Sequence, residues 1–129
     1  MARVTGIGGV FIRAKDREAL KQWYATHLDV DAGQYGKTFE WGTPQPGADP
    51  GCTVWSLFTQ ESDYFPATQA VMINYRVADL HALIATLKAE GCNVDDKIDE
   101  SEYGKFGWVT DPEGNRIELW EPPKGTLPA

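Results

Sequence analysis

Hydrophobic and polar positions alternate along residues 8–14, where Val10, Ile12 and Ala14 fall on one face and Gly9, Phe11 and Arg13 on the other. The pattern returns along residues 71–77, with Val71, Ile73, Tyr75 and Val77 opposed to Met72, Asn74 and Arg76. A period of two predicts a β-strand in each place, with one face on a core and the other turned away from it. After each strand the period lengthens. Leu20, Trp23, Tyr24, His27 and Leu28 recur at the three-to-four spacing of a helix, as do Leu80, Leu83, Ile84 and Leu87. Asp16 and Asp79 stand where a helix N-cap belongs, able to accept the first unpaired backbone N–H groups. Gly91 stands where the second helix would end. Three more strands follow each helix, at residues 30–34, 38–42 and 53–59, then at 93–98, 106–110 and 116–121. Asp111-Pro112-Glu113-Gly114-Asn115 is a turn between the last two.

The chain repeats itself. Arg13-Ala14-Lys15-Asp16 returns as Arg76-Val77-Ala78-Asp79, and Ala19-Leu20 as Ala82-Leu83, both 63 residues later. Asp49-Pro50-Gly51 returns as Asp111-Pro112-Glu113-Gly114, and Tyr35-Gly36-Lys37 as Tyr103-Gly104-Lys105. Ordered matches at nearly one offset predict two copies of a strand–helix–three-strand unit. One spans about residues 4–60 and the other about 68–122, in a single domain over 1–129. The loop from Thr43 to Gly51, with three prolines and two glycines, reads as a surface excursion, and 123–129 as a tail.

Charge and composition narrow the partners. The 129 residues carry 12 Lys and Arg against 19 Asp and Glu, a net charge of −7, which disfavours nucleic acid and anionic membrane surfaces. No apolar run reaches the roughly 20 residues of a membrane span. The first residues carry no signal-peptide pattern, so the expected location is cytoplasmic. Cys52 and Cys92 form no metal spacing and are expected to be reduced. No Ser–His–Asp set, Cys–His pair or phosphate-binding glycine loop stands out. Gly6-Ile7-Gly8-Gly9 opens a strand, where glycine serves close approach of another group.

Two tandem βαβββ units, with GVFIRAKD, MINYRVADL and above all DPEGNRIELWEP at Asp111–Pro122, resemble the vicinal oxygen chelate superfamily of glyoxalases, bleomycin-resistance proteins and extradiol dioxygenases. The resemblance covers residues 4–122 and implies an α+β fold in which a curled mixed sheet forms a cup. It also implies a homodimer. Its enzymes hold one divalent metal in the cup, on His and Glu side chains of the first and last strands of each unit. The corresponding positions here are Gly9, Met72, Glu118 and either Trp55 or Ser56, depending on the register of the strand from Thr53. Only Glu118 keeps a metal-binding side chain of the expected type, and a thioether suits Cu(I) rather than a hard cation. His27 and His81 fall on the helices. The expectation is therefore a cup with no metal and no cofactor.

Alternation places Phe11, Arg13, Met72, Asn74, Arg76, Glu118 and Trp120 toward the cup, with Arg116 beside them and Trp55 as a further candidate. Trp41 and Trp108 are expected on neighbouring strands. Large apolar side chains with few polar anchors are the lining of a small-molecule site, and equally the filling of a collapsed cup. Glu118 is the candidate catalytic residue. It reads as an ion-pair partner of Arg13, Arg76 or Arg116, as an anchor for a ligand, or as a general base raised by burial. The leading expectation is a metal-free binder of a small organic molecule, in the manner of bleomycin-resistance proteins. The alternative is a lyase, isomerase or dioxygenase of the same superfamily using Glu118 as base or metal ligand.

Overall fold

The two alternating segments pair with each other at the centre of the molecule. A computed structural model describes residues 3–33, 36–42 and 51–124. Its elements are β1 (Gly6–Ala14), α1 (Arg17–Leu28), β2 (Lys37–Glu40), β3 (Cys52–Thr59), β4 (Val71–Arg76), α2 (Leu80–Ala89), β5 (Asn93–Val94), β6 (Asp99–Ser101), β7 (Gly104–Thr110) and β8 (Arg116–Glu121). All eight strands join one curled mixed sheet in the order β2-β3-β1-β4-β8-β7-β5, with β6 added on β7. Strands β1 and β4 run antiparallel, and each has the last strand of its own unit parallel on its other side. The fold is the expected α+β cup of two repeated units.

Each helix starts where its aspartate allows. Asp16 accepts from the Ala19 N–H at 3.0 Å and Asp79 from the Ala82 N–H at 3.1 Å. Gly91 follows α2 with φ of 82°, a left-handed conformation that glycine takes without a Cβ clash. Asp29 closes α1 in the same region, with φ of 55°. Helix α2 covers the convex face of its unit: Leu80, Leu83 and Ile84 bury against Val77 and Leu119, with Tyr75, Val109 and Ile117 beside them. Of the apolar set read from alternation, Tyr75, Val77, Ile117 and Leu119 belong to this cluster, while Val71 is exposed. Helix α1 buries none of its residues and meets the sheet through Tyr24, whose ring lies 4.7 Å from that of Trp55.

Some strands differ from expectation. Residues 30–33 form no strand and only Gly33 makes a bridge, to Gly36. Gln34, like residues 43–50 and 125–129, lies outside the described residues. The strand expected over 93–98 stops at Val94; the Asp95 N–H still donates to the Trp108 carbonyl at 2.9 Å, and the chain rejoins the sheet as β6. Cys52 and Cys92 form no disulfide; Cys52 is buried at the start of β3 and Cys92 is exposed.

The glycine run acts through close approach. The β1–β4 ladder shifts between Ile7 and Gly9. A Cβ on Gly8 would lie 2.8 Å from Trp120 Cε3 and 2.9 Å from Arg76 Cγ, and would press on Asn74 Oδ1. Gly8→Ala is therefore expected to destabilise the protein by about 1–3 kcal/mol, since rigid ring and strand atoms must shift. Urea denaturation checks it, and an alanine variant as stable as the parent would mean the sheet yields freely at this point.

Candidate functional site

The register of β3 decides which side chains share the concave face. Phe11 pairs with Ser56 and Arg13 with Phe58, while Asn74 pairs with Glu118 and Arg76 with Trp120. Because Phe11 and Asn74 are equivalent in the repeat, Ser56 and not Trp55 is the counterpart of Glu118, and the offset in the last strand is 62 rather than 63. Trp55 packs against α1 on the opposite face, so the structure removes it from the cup-facing set. Ser56 is 9% exposed in its place.

Glu118 is 1% exposed at the floor of the concave face. Its Oε1 accepts from Asn74 Nδ2 at 2.6 Å. Its Oε2 accepts from Trp108 Nε1 at 3.0 Å and from the Tyr64 hydroxyl. Strands supply three members of this set: Asn74 from β4, Trp108 from β7 and Glu118 from β8. Tyr64 comes instead from the connection between the units. Aromatic rings enclose the group. Tyr64 meets Trp108 edge-on at 6.1 Å and Phe58 at 5.5 Å, and Phe58 meets Phe11 at 5.3 Å. Met72 is wholly buried beneath.

Burial pushes the Glu118 carboxyl above the ordinary value of 4.5, and the donors from Tyr64, Asn74 and Trp108 together with the charge of Arg116 oppose that rise. The Tyr64 hydroxyl is raised as well, by burial and then by the neighbouring carboxylate, so it remains a phenol and a donor. A folded carboxyl that holds its proton more tightly than the unfolded one stabilises the protein most at low pH. That contribution declines as pH rises from 4.5 to the folded value, and is flat above it. The stability of the parent minus that of Glu118→Gln is thus expected to fall with pH across this interval. Melting temperatures of the pair from pH 4 to 8 test the sign, and a difference that rises with pH would contradict it.

The arginines do other work than expected. The Arg13 guanidinium donates to the carbonyls of Gln60, Ser62 and Phe65 at 2.8 Å each, and to those of Pro66, Gln69 and Thr59 at 3.2–3.4 Å. It also lies 4.5 Å over the Phe65 ring, which is 1% exposed. Arg13 thus fastens the connection that carries Tyr64. Arg76 lies between the Trp41 and Trp120 rings, 5.2 Å from each, and donates to Cys52 Sγ. Arg116 pairs with Asp95 at 2.8 Å and lies over Trp108. No arginine forms an ion pair with Glu118 among the described residues, which corrects that reading: the carboxyl is met by neutral donors. Trp120, two residues along β8 from Glu118 on the same face, donates to the Tyr103 carbonyl at 2.8 Å and stacks on Phe106. Of the expected set, Phe11, Met72, Asn74 and Glu118 come together.

Tyr64 was missed. It lies outside every periodic segment, and its only signal in the sequence is an adjacent aromatic pair, Tyr64-Phe65, inside an otherwise polar connection.

The positions that the resemblance equates with metal ligands do not fit a divalent cation. They offer no side chain at Gly9, a hydroxyl at Ser56, a thioether at Met72 and one carboxylate already accepting from three donors. A Cβ at Gly9 would stand 2.9 Å from the Phe11 ring, so a side chain there would have to displace that ring. Among the described residues no group of three His, Cys, Asp or Glu side chains could hold a metal ion.

Comparison with known proteins agrees with the fold. Residues 9–120 match the family model described as a glyoxalase-like domain. No protein of curated function matches. Among solved structures, methylmalonyl-CoA epimerase bound to methylmalonyl-CoA superposes with a TM-score of 0.69 at 17% identity, over 97% of this chain and 99% of that one. The Mycobacterium tuberculosis methylmalonyl-CoA epimerase gives 0.60 at 20% identity, over 95% and 91%. A structure described as an NAD-dependent benzaldehyde dehydrogenase from Legionella pneumophila gives 0.58 at 13% identity, over 89% and 98%. At these identities the likeness is one of fold. No helix among the described residues is long and apolar enough to cross a membrane.

Proposed function

Because the chain belongs to the glyoxalase-like domain family of the vicinal oxygen chelate superfamily, we propose that it binds a small organic molecule on the concave face of its sheet. In this reading it does so without the superfamily's divalent metal or any other cofactor, as bleomycin-resistance proteins do, and as a cytoplasmic homodimer. The observation that carries the reading is Glu118: a carboxyl sunk among aromatic rings and met, among the described residues, by neutral donors. Such a group costs several kcal/mol to bury, and the apolar cluster under α2 lies on the other face of the sheet. A buried carboxyl on the concave face is a candidate for ligand contact. Similar folds that hold coenzyme A esters support a ligand in the cup.

The test is a melting screen of the protein against a library of aromatic and conjugated compounds, beside elemental analysis after soaking in Ni, Zn, Mn and Fe salts. Ligands that raise the melting temperature of the parent but not of Glu118→Gln support the reading. Stoichiometric metal surviving dialysis, or no stabilising compound at all, overturns it.

A second reading has one observation in its favour. The upward push on Glu118 moves it toward the range of a general base, as an isomerase or lyase would require. Glu118→Gln would then abolish turnover while ligand binding persists. The binding reading ranks first because both carboxyl oxygens already accept hydrogen bonds.

A further inference from the structure

The three donors around Glu118 are not equivalent. Asn74 and Trp108 sit on central strands and are 2% and 3% exposed. Tyr64 sits on the connection between the units, and it alone of the three reaches solvent. A molecule approaching Glu118 from outside therefore meets the Tyr64 ring before it meets the carboxyl. That ring already has what an aromatic ligand would find there: the Trp108 edge at 6.1 Å, the Phe58 face at 5.5 Å, and Oε2 of Glu118 as an acceptor for its hydroxyl. The backbone on either side is pinned, since Arg13 holds the carbonyls of Ser62 and Phe65 at 2.8 Å and Phe65 is buried. With the backbone held, a change of the Tyr64 side-chain rotamer is the movement that would vacate the place.

From this we infer that the Tyr64 phenol stands in the ligand's own position, so that the natural ligand is a flat, neutral molecule ending in a hydroxyl or N–H donor. The inference rests on the concave-face binding reading and deepens it to a ligand class. An anionic end would meet the Glu118 carboxylate, and a purely apolar one would leave Oε2 with a single donor in a buried setting. A phenol, or an enol or amide N–H on a conjugated body, restores the hydrogen bond and the ring contacts together.

The experiment titrates p-cresol and toluene into the parent, Tyr64→Ala and Tyr64→Leu, following melting temperature and tryptophan fluorescence. The vacated place in Tyr64→Ala should take p-cresol at least about tenfold more tightly than toluene, and at least about tenfold more tightly than the parent does. Tyr64→Leu should show the same preference, reduced by the volume of leucine. Where neither variant folds, the parent carrying ring-labelled tyrosine serves: p-cresol at saturation should move the Tyr64 ring signals in NMR, and toluene should not. Equal affinity for p-cresol and toluene, or Tyr64 signals that stay in place, overturns the inference. Those outcomes leave the binding reading untouched if the library screen on the parent finds ligands. A screen with no ligand sinks that reading by itself.

Discussion

Replacing Arg13 by alanine is expected to lower the stability of the protein by about 2–3 kcal/mol, through the loss of charge-assisted hydrogen bonds to carbonyls that are at most partly buried. The guanidinium donates to six backbone carbonyls between Thr59 and Gln69 and packs on the buried Phe65 ring. Hydrogen bonds to a charged group are worth about 1.5–3 kcal/mol each in isolation, but several of these carbonyls stand near the surface, where water replaces part of the loss. The total therefore falls well short of the sum. Arg13→Lys should recover only a minor part, because an ammonium offers three donors from one point and cannot reproduce the planar fork that reaches both ends of the connection. Chemical denaturation of the three proteins checks the order. A lysine variant as stable as the parent would show that the charge matters and the fork does not. The variant also has a local consequence: the Tyr64 hydroxyl should be held less firmly over Glu118, since Arg13 holds the carbonyls of Ser62 and Phe65 on either side of residue 64.

The second large effect is expected at Glu118 itself. Glu118→Leu should destabilise the protein by about 2–5 kcal/mol, although it replaces a buried charge by an apolar side chain of comparable size. Such replacements are often neutral where both partners of a pair are exchanged. Here the partners stay behind. Asn74 Nδ2 and Trp108 Nε1 are buried donors with Glu118 as their acceptor, and the Oδ1 of Asn74 already lacks a partner among the described residues. Leucine leaves both donors unsatisfied in a site too enclosed for water to enter easily. Glu118→Gln retains one acceptor oxygen and removes the burial cost of the charge, so its loss should stay below about 1.5 kcal/mol at neutral pH. Denaturation at pH 7 separates the two. If the leucine variant is the more stable, the carboxyl is an expense the fold does without, and its retention points still more firmly to a function.

How far the residues alone led can be followed strand by strand. Alternation at 71–77 and 116–121 assigned each side chain to the correct face, because a fully extended strand turned between two layers leaves no other periodicity. The capping aspartates and Gly91 were legible because capping is local chemistry, decided within four residues. The strand from Cys52 was ambiguous: Trp55 and Ser56 alternate between two faces that are both partly apolar, and only pairing with β1 settles a register. The short strands near 30–34 and 93–98 went astray for the same reason, since edge strands carry few residues and weak patterns.

The candidate site divides in the same way. Glu118, Asn74, Met72 and Phe11 could be gathered from sequence because the repeat and the alternation together place them on one face of adjacent strands. The partners of Glu118 could not. Arg13 and Arg76 share that face, yet their guanidinium groups travel away from the carboxyl, one to the carbonyls of the connection and the other between two tryptophans. Long side chains choose among distant acceptors, and no pattern of nearest neighbours records the choice. Tyr64 lies still further from reach, on an irregular segment that pairs with Glu118 across 54 positions. Periodicity therefore determined the architecture, the two faces of the sheet and the acid at the base of the cup. Which groups meet that acid was decided by tertiary structure alone, because hydrogen bonds between a loop and a strand depend on where the backbone passes in space and leave no period in the chain.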